Sequence, residues 1–253
     1  MAKHNCAICG AEIGLISEQK LADGKFICRK VCAKRCMKLF NKVEATLDSV
    51  NSHIEQVEFG TKVWEQIFVP LTKTKNKEEK LKHFGQNGML CVSPSTGLIA
   101  LTENRYKIFI FGKTTMACVY RIADLYGYDY YSEKVKNSEG KEETKHYCIL
   151  LFRNTPGMYE IRLPISTASD FTSIEKYFNT LFGIQNSLRN IGNKFKQQAN
   201  AVKAISEAIS AVKDGTMDES KAEATVEALD AAQYGDRTKW IAKADASLST
   251  VQK

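Results

Sequence analysis

Five of the eight cysteines fall between Cys6 and Cys36, so thiolate chemistry is the first chemistry this sequence offers. Cys6-Ala7-Ile8-Cys9-Gly10 sets two sulfurs on one tight loop and follows them with a glycine, which lets backbone amides approach the pair. Cys28, Cys32 and Cys36 form a second group, and the stretch between the groups suits a hairpin turning at Asp23-Gly24. In a reducing compartment such a cluster reads as a metal site before it reads as disulfides. Zinc takes four soft ligands in a tetrahedron, and with every position filled by protein it activates no water. The expected ligands of one structural zinc ion are Cys6, Cys9, Cys28 and Cys32. Three residues separate Cys28 from Cys32, one more than in the usual knuckle, which leaves Cys36 as an alternative fourth ligand and His4 as a weaker one. Cys32 is preferred because a helix beginning there, beside Lys30, Lys34 and Arg35, would favour its thiolate. The competing reading is free thiols without metal. The first thirty or so residues are too few to bury a core alone, so a metal would supply most of their reason to fold.

Nothing else in the chain forms a catalytic constellation. Cys91, Cys118 and Cys148 sit in apolar runs and read as core thiols. Phe111-Gly112-Lys113-Thr114 has the end of a phosphate-binding loop, but the glycine required five positions before Gly112 is Lys107. His53, His83 and His146 show no cysteine or carboxylate partner at metal or catalytic spacing. Tyr126-Gly127-Tyr128-Asp129-Tyr130-Tyr131 reads equally as a recognition strand or as an ordinary strand with alternate rings buried. The expectation is a protein that is not an enzyme.

The elements that must carry these residues follow from periodicity. A long helix is expected from about residue 32 to 58, with the seam Cys36, Phe40, Val43, Leu47, Val50, Ile54 and Val57 in alternating steps of four and three, and Gly60 as its stop. Residues 71–88 are polar, a connection or a short solvated helix. From Met89 to Ile165 the period becomes that of strands, near 89–93, 98–102, 107–111, 118–122, 126–131, 147–152 and 159–163, with a long charged loop over 133–145. This spacing suits an antiparallel sandwich or barrel. Helix returns after Ser166, where Thr172 and Glu175 have capping-box spacing. A second heptad seam then runs Ile184, Leu188, Ile191, Phe195, Gln198, Val202, Ile205, Ile209 and Val212. Two short Ala-rich helices, near 217–232 and 236–250, end the chain.

The formal net charge of +7 is modest, but Arg29–Lys38 is strongly basic and the stretch after Lys213 leans acidic. A basic patch attracts nucleic acid or a membrane surface, or is simply a solvated face. No run approaches the roughly 20 apolar residues of a bilayer span, and no secretory h-region opens the chain. A cytoplasmic setting is expected, bacterial or in the cytosol of an infected cell.

Cys6-Ala7-Ile8-Cys9-Gly10-Ala11-Glu12-Ile13-Gly14-Leu15, with Leu21-Ala22-Asp23-Gly24 and Ile27-Cys28, resembles the zinc-ribbon domain that opens many uncharacterised bacterial and phage proteins. In those chains a pleckstrin-homology-like (PH-like) β domain often follows. The resemblance implies metal binding and no known activity, and the extra residue before Cys32 departs from its pattern. The fold expected is α+β: a zinc ribbon or treble clef over 1–34, a long helix over 35–60, a PH-like antiparallel β domain with a C-terminal helix over 61–185, a heptad helix over 186–214 and a helical tail over 215–253. The function expected is a non-catalytic, zinc-containing adaptor or assembly protein, possibly phage or mobile-element encoded, which binds a protein partner or itself through the two heptad helices. The alternative is a nucleic-acid-binding regulator using the basic start of the first long helix.

Overall fold

A computed structural model describes residues 4–107, 112–184 and 237–251, with scattered positions between 211 and 226. It is a mixed α and β structure of small antiparallel sheets with a cysteine cluster near the N-terminus. Met1–Ala168 and Trp240–Lys253 form one compact unit, and Ser169–Lys239 a second. The division at Ala168 falls inside the domain expected over 61–185.

The first unit opens with two small hairpins. β1 (His4–Asn5) pairs with β2 (Glu12–Ile13), and β3 (Glu18–Lys20) with β4 (Phe26–Cys28). The turn between β3 and β4 is made at Asp23-Gly24, where the positive φ of Gly24 (+81°) suits a residue without a side chain. A 3-10 turn, Cys32–Arg35, follows.

No long helix begins there, which corrects the expected span of 35–60. Helix α1 is Leu47–Val63. The reason lies in where the intervening amides go. The Cys32 amide donates to the Cys28 sulfur, the Met37 amide to His53 Nε2 and the Lys38 amide to a Glu103 carboxylate oxygen. None of these is the carbonyl four residues back that a helix needs. Helix initiation is instead set by Thr46, whose hydroxyl accepts from the Ser49 amide, and by Asp23, whose carboxylate accepts from the Leu47 amide at 3.0 Å. That amide leads the influences holding the Asp23 carboxyl below its usual range.

Gly60 is not a stop either. It lies where α1 crosses strand β8 (Gly112–Arg121), and a Cβ there would meet the Ala117 carbonyl oxygen at 2.3 Å and the Val119 nitrogen at 2.9 Å. Next to it, Thr61 Oγ1 accepts from the Ala117 amide. The helix continues through a π-turn, Trp64–Phe68, into α2 (Val69–Thr72). The wider turn lets the chain stay helical around Pro70, whose ring would obstruct the carbonyl four residues before it.

Seven strands then form two antiparallel meanders. β5 (Lys82–Phe84), β6 (Leu90–Ser93), β7 (Leu98–Lys107) and β8 make a four-stranded sheet in chain order. β9 (Leu125–Lys136), β10 (Glu142–Phe152) and β11 (Glu160–Ile165) make a three-stranded one with β10 central. The long loop expected over 133–145 is instead a regular hairpin, pairing Lys136 with Glu142. Asn137 closes it by accepting the Glu139 and Lys141 amides. Polar side chains on both faces erased the alternation that marks a strand. β5 was hidden in the polar stretch for the same reason.

Val50, Ile54 and Val57 of the first seam are buried, and α1 packs against β8 within this unit. That face is therefore not free for a partner or a second copy, which corrects the expectation for the first seam. Val43 of the same seam is exposed and lies outside the helix. The second seam, 184–212, lies almost wholly outside the described residues. The expected last helix is observed as Thr238–Leu248, and it packs on the four-stranded sheet rather than trailing away. Its Ala244 joins Val63, Phe68, Cys91, Leu98 and Ala100 in one core, and a Cβ at Gly97 would meet the Trp240 carbonyl oxygen at 2.7 Å. In the second unit, helix α3 (Ala168–Leu181) buries Ile174 and Phe178, and Phe182 lies under the Arg237 guanidinium at 4.1 Å.

Two outcomes check this packing. Gly60→Ala lowers stability by about 2 kcal/mol in denaturant unfolding, although helix propensity alone would raise it by about 1 kcal/mol. The second concerns His53, which is fully buried, stacked on Phe40 at 4.1 Å and bonded to Met37 and Gln56. Burial, ahead of all else, lowers its pKa from 6.5 to about 4. The unfolded chain therefore binds the extra proton, and stability is full above pH 6.5 and falls as pH drops toward 4, by about 3 kcal/mol in all. Unfolding of wild type and His53→Gln across this range should show a shallower acid decline in the variant.

Candidate metal centre

The Cys6 amide donates to the Ala11 carbonyl and the Gly10 amide to the Cys6 carbonyl, closing the first loop, with Gly10 at φ +73°. The Ala7 amide reaches the Phe26 carbonyl on β4, which lays this loop against the second hairpin. Cys28 ends β4, and Cys32 opens the 3-10 turn just beyond it. Two hairpins thereby bring together residues from both ends of the cysteine-rich segment.

The sulfurs of Cys6, Cys9, Cys28 and Cys32 all lie within 4.8 Å of one another. Cys6 and Cys32 are 3.7 Å apart, and Cys9 and Cys28 are 3.8 Å apart. A disulfide needs about 2.05 Å, so these are four free thiols. A tetrahedral ion with zinc–sulfur bonds of about 2.3 Å sets sulfur–sulfur edges of about 3.8 Å, and the donor set fits it. The cluster of Cys6, Cys9, Cys28 and Cys32 could bind a metal ion. Cys36 and His4 are not among the group. Cys36 is buried nearby, its thiol pushed up by burial and only partly brought back by Lys42, Arg105 and Arg35. His4 is engaged elsewhere, stacked on Phe26 at 3.9 Å with Nδ1 at 2.8 Å from Glu18.

The electrostatics suit a cation. Burial raises the Cys6 thiol, but the backbone amides of Cys9, Cys28 and Ile8 reverse this and bring it down to about 6. The Cys28 amide lies 3.3 Å from that sulfur, and the Cys32 amide lies 3.3 Å from the Cys28 sulfur. Cys32 is pushed up, first by burial and then by the sulfurs crowded around it. Amides favour thiolate here, while four thiolates side by side repel. A divalent cation relieves that conflict. The exposed Arg29, Lys30, Lys34 and Arg35 more than offset the residual negative charge of a four-thiolate site.

The segment after the cluster is clamped to the sheet by a pair that sequence reading did not single out. One Glu103 carboxylate oxygen accepts the Lys38 amide at 2.6 Å, and the other accepts Arg105 Nε at 2.8 Å. Arg105 also donates to the Lys34 and Cys36 carbonyls. The signal was two opposite charges two residues apart on the continuation of the apolar strand Leu98–Leu101, and so on one face of it. A further unforeseen pair is His83 and Cys91, opposite each other on β5 and β6 with Nδ1 and Sγ 3.2 Å apart. Cys91 is buried and its thiol is pushed up to about 12 by burial, so it is a core group and not a nucleophile.

Residues 4–53 match a family model described as a domain of unknown function (DUF4428). No curated protein and no solved structure gives a significant match to the chain. The match covers both hairpins, the clamped segment and the first turns of α1. Arg105→Ala should cost about 1–3 kcal/mol in denaturant unfolding, because it strips donors from two carbonyls and leaves the buried Glu103 short of a partner. Its metal stoichiometry should equal that of wild type.

Proposed function

We propose that Cys6, Cys9, Cys28 and Cys32 hold one structural zinc ion, and that the protein is a non-catalytic adaptor whose β domain recognises a protein partner. The observation that carries the zinc reading is the convergence of four sulfurs at tetrahedral spacing. Such a site leaves no open position for substrate or water. Four strands, then three, then a helix is the order that the PH-like reading requires, and this supports it. Tyr131 on the edge strand β9 is 42% exposed, beside Tyr147 of β10, and suits a contact surface.

The nucleic-acid reading keeps one supporting observation, the exposure of Arg29, Lys30, Lys34, Arg35 and Lys38. It loses the basic helix it relied on, and Arg35 is paired with Glu58.

Metal analysis of purified, reduced protein should give one zinc per chain, retained by Cys36→Ser and lost from Cys28→Ser and Cys32→Ser. Loss from Cys36→Ser with retention in Cys32→Ser would reassign the fourth ligand. For the adaptor reading, affinity capture should return a stoichiometric partner that Tyr131→Glu releases. Turnover of a substrate with no partner captured would overturn it.

A further inference from the structure

The turn between β2 and β3 carries a feature that the metal site does not use. Leu15 is 74% exposed and Ile16 is 90% exposed, side by side at the corners of a turn. Turn corners ordinarily hold Gly, Asn, Asp or Ser, so two adjacent large aliphatics there are opposite to what water selects. The turn is a built one. The Gly14 carbonyl accepts from both the amide and the hydroxyl of Ser17, at 2.8 and 3.0 Å, and the Gly14 amide donates to that hydroxyl.

The β3–β4 ladder sets the neighbours of this tip. Glu18 pairs with Cys28, and one residue further the Arg29 amide donates to the Ser17 carbonyl at 2.8 Å. That bond brings the turn Gly14–Ser17 against the turn that begins at Arg29. Val31 is itself 61% exposed, and Arg29, Lys30 and Lys34 are exposed around it. Residues 14–17 and 29–34 contain no carboxylate and no aromatic ring.

From this we infer that the tip docks on an anionic lipid bilayer, with Leu15, Ile16 and Val31 entering the headgroup boundary and Arg29, Lys30 and Lys34 meeting the lipid phosphates and carboxylates. The charge complementarity is one-signed, and the apolar element is a protruding turn rather than a groove. Shallow insertion gains from buried aliphatic area plus attraction of basic side chains to anionic lipid. Single-stranded nucleic acid is a poorer fit, because its bases stack on rings and this tip has none. The inference rests on the zinc reading only for the rigidity of the tip.

The test is co-sedimentation of the full chain with phosphatidylcholine vesicles containing about 30 mol% phosphatidylserine, and with phosphatidylcholine alone. Wild type should bind the anionic vesicles, bind the neutral ones at least tenfold less, and release as salt is raised. Leu15→Ser/Ile16→Ser should lower the anionic partition at least tenfold, with zinc content and thermal midpoint unchanged. Lys30→Glu should lower it as well. Failure of wild type to bind anionic vesicles at low salt overturns the inference, as does undiminished binding by the double variant. A gel shift with DNA that Lys30→Glu abolishes, alongside indifference to vesicles, would also overturn it. Zinc content is measured in the same samples, so absence of metal and absence of membrane binding are told apart.

Discussion

Four sulfurs packed edge to edge near the start of the chain pose a problem that protons solve poorly. Backbone amides around the Cys6 sulfur favour negative charge there, while burial and crowding push the Cys32 thiol the other way. Neutral thiols would leave those amides with weak acceptors, and bare thiolates would repel. A divalent ion would satisfy both demands, which is why the zinc reading is proposed. The two hairpins bury Ile13, Leu21 and Ile27 and little else of their own, too small an apolar core for so short a segment to fold unaided.

That module is not a bead on a string. Its second hairpin caps α1 through Asp23, and the Ala22 amide bonds to the Ala45 carbonyl. Its exit segment is pinned by His53 from the helix and by Glu103 and Arg105 from the sheet. Gln56, on the same helix, bonds both the amide and the carbonyl of Met158 in the β10–β11 connection. Gly157 lies so close to the backbone of His53 that a Cβ would fall 2.8 Å from its Cα. Helix α1 is thus an internal strut, fixed by polar contacts at specified atoms on three sides. A disturbance at Cys28 would be felt where α1 begins, because the β3–β4 hairpin carries both Cys28 and the Asp23 cap.

Much of this was legible in residue order. The clustering of Cys6, Cys9, Cys28 and Cys32, the Asp23-Gly24 turn and the run of strands after Met89 can all be read from spacing and residue type, because each depends on local chemistry. The start of the long helix could not. Its seam continued back through Cys36, but the amides of residues 32–38 find sulfur, imidazole and carboxylate acceptors supplied from far along the chain. Gly60 read as a stop because a glycine required by a crossing strand and one required by a helix end look alike in sequence. The inner halves of the two strands of the hairpin at 125–152 were legible, but its outer half, expected as a loop over 133–145, was not, because neither of its faces is buried. Period finds elements that bury one side, and it fails for elements held by backbone pairing alone.

The central claim is an all-sulfur tetrahedral centre, and X-ray absorption at the zinc edge of the purified full chain tests it most directly. The account predicts a single shell of four sulfurs at about 2.3 Å with no nitrogen or oxygen neighbour. A first shell containing light atoms, or no bound zinc at all, would contradict it.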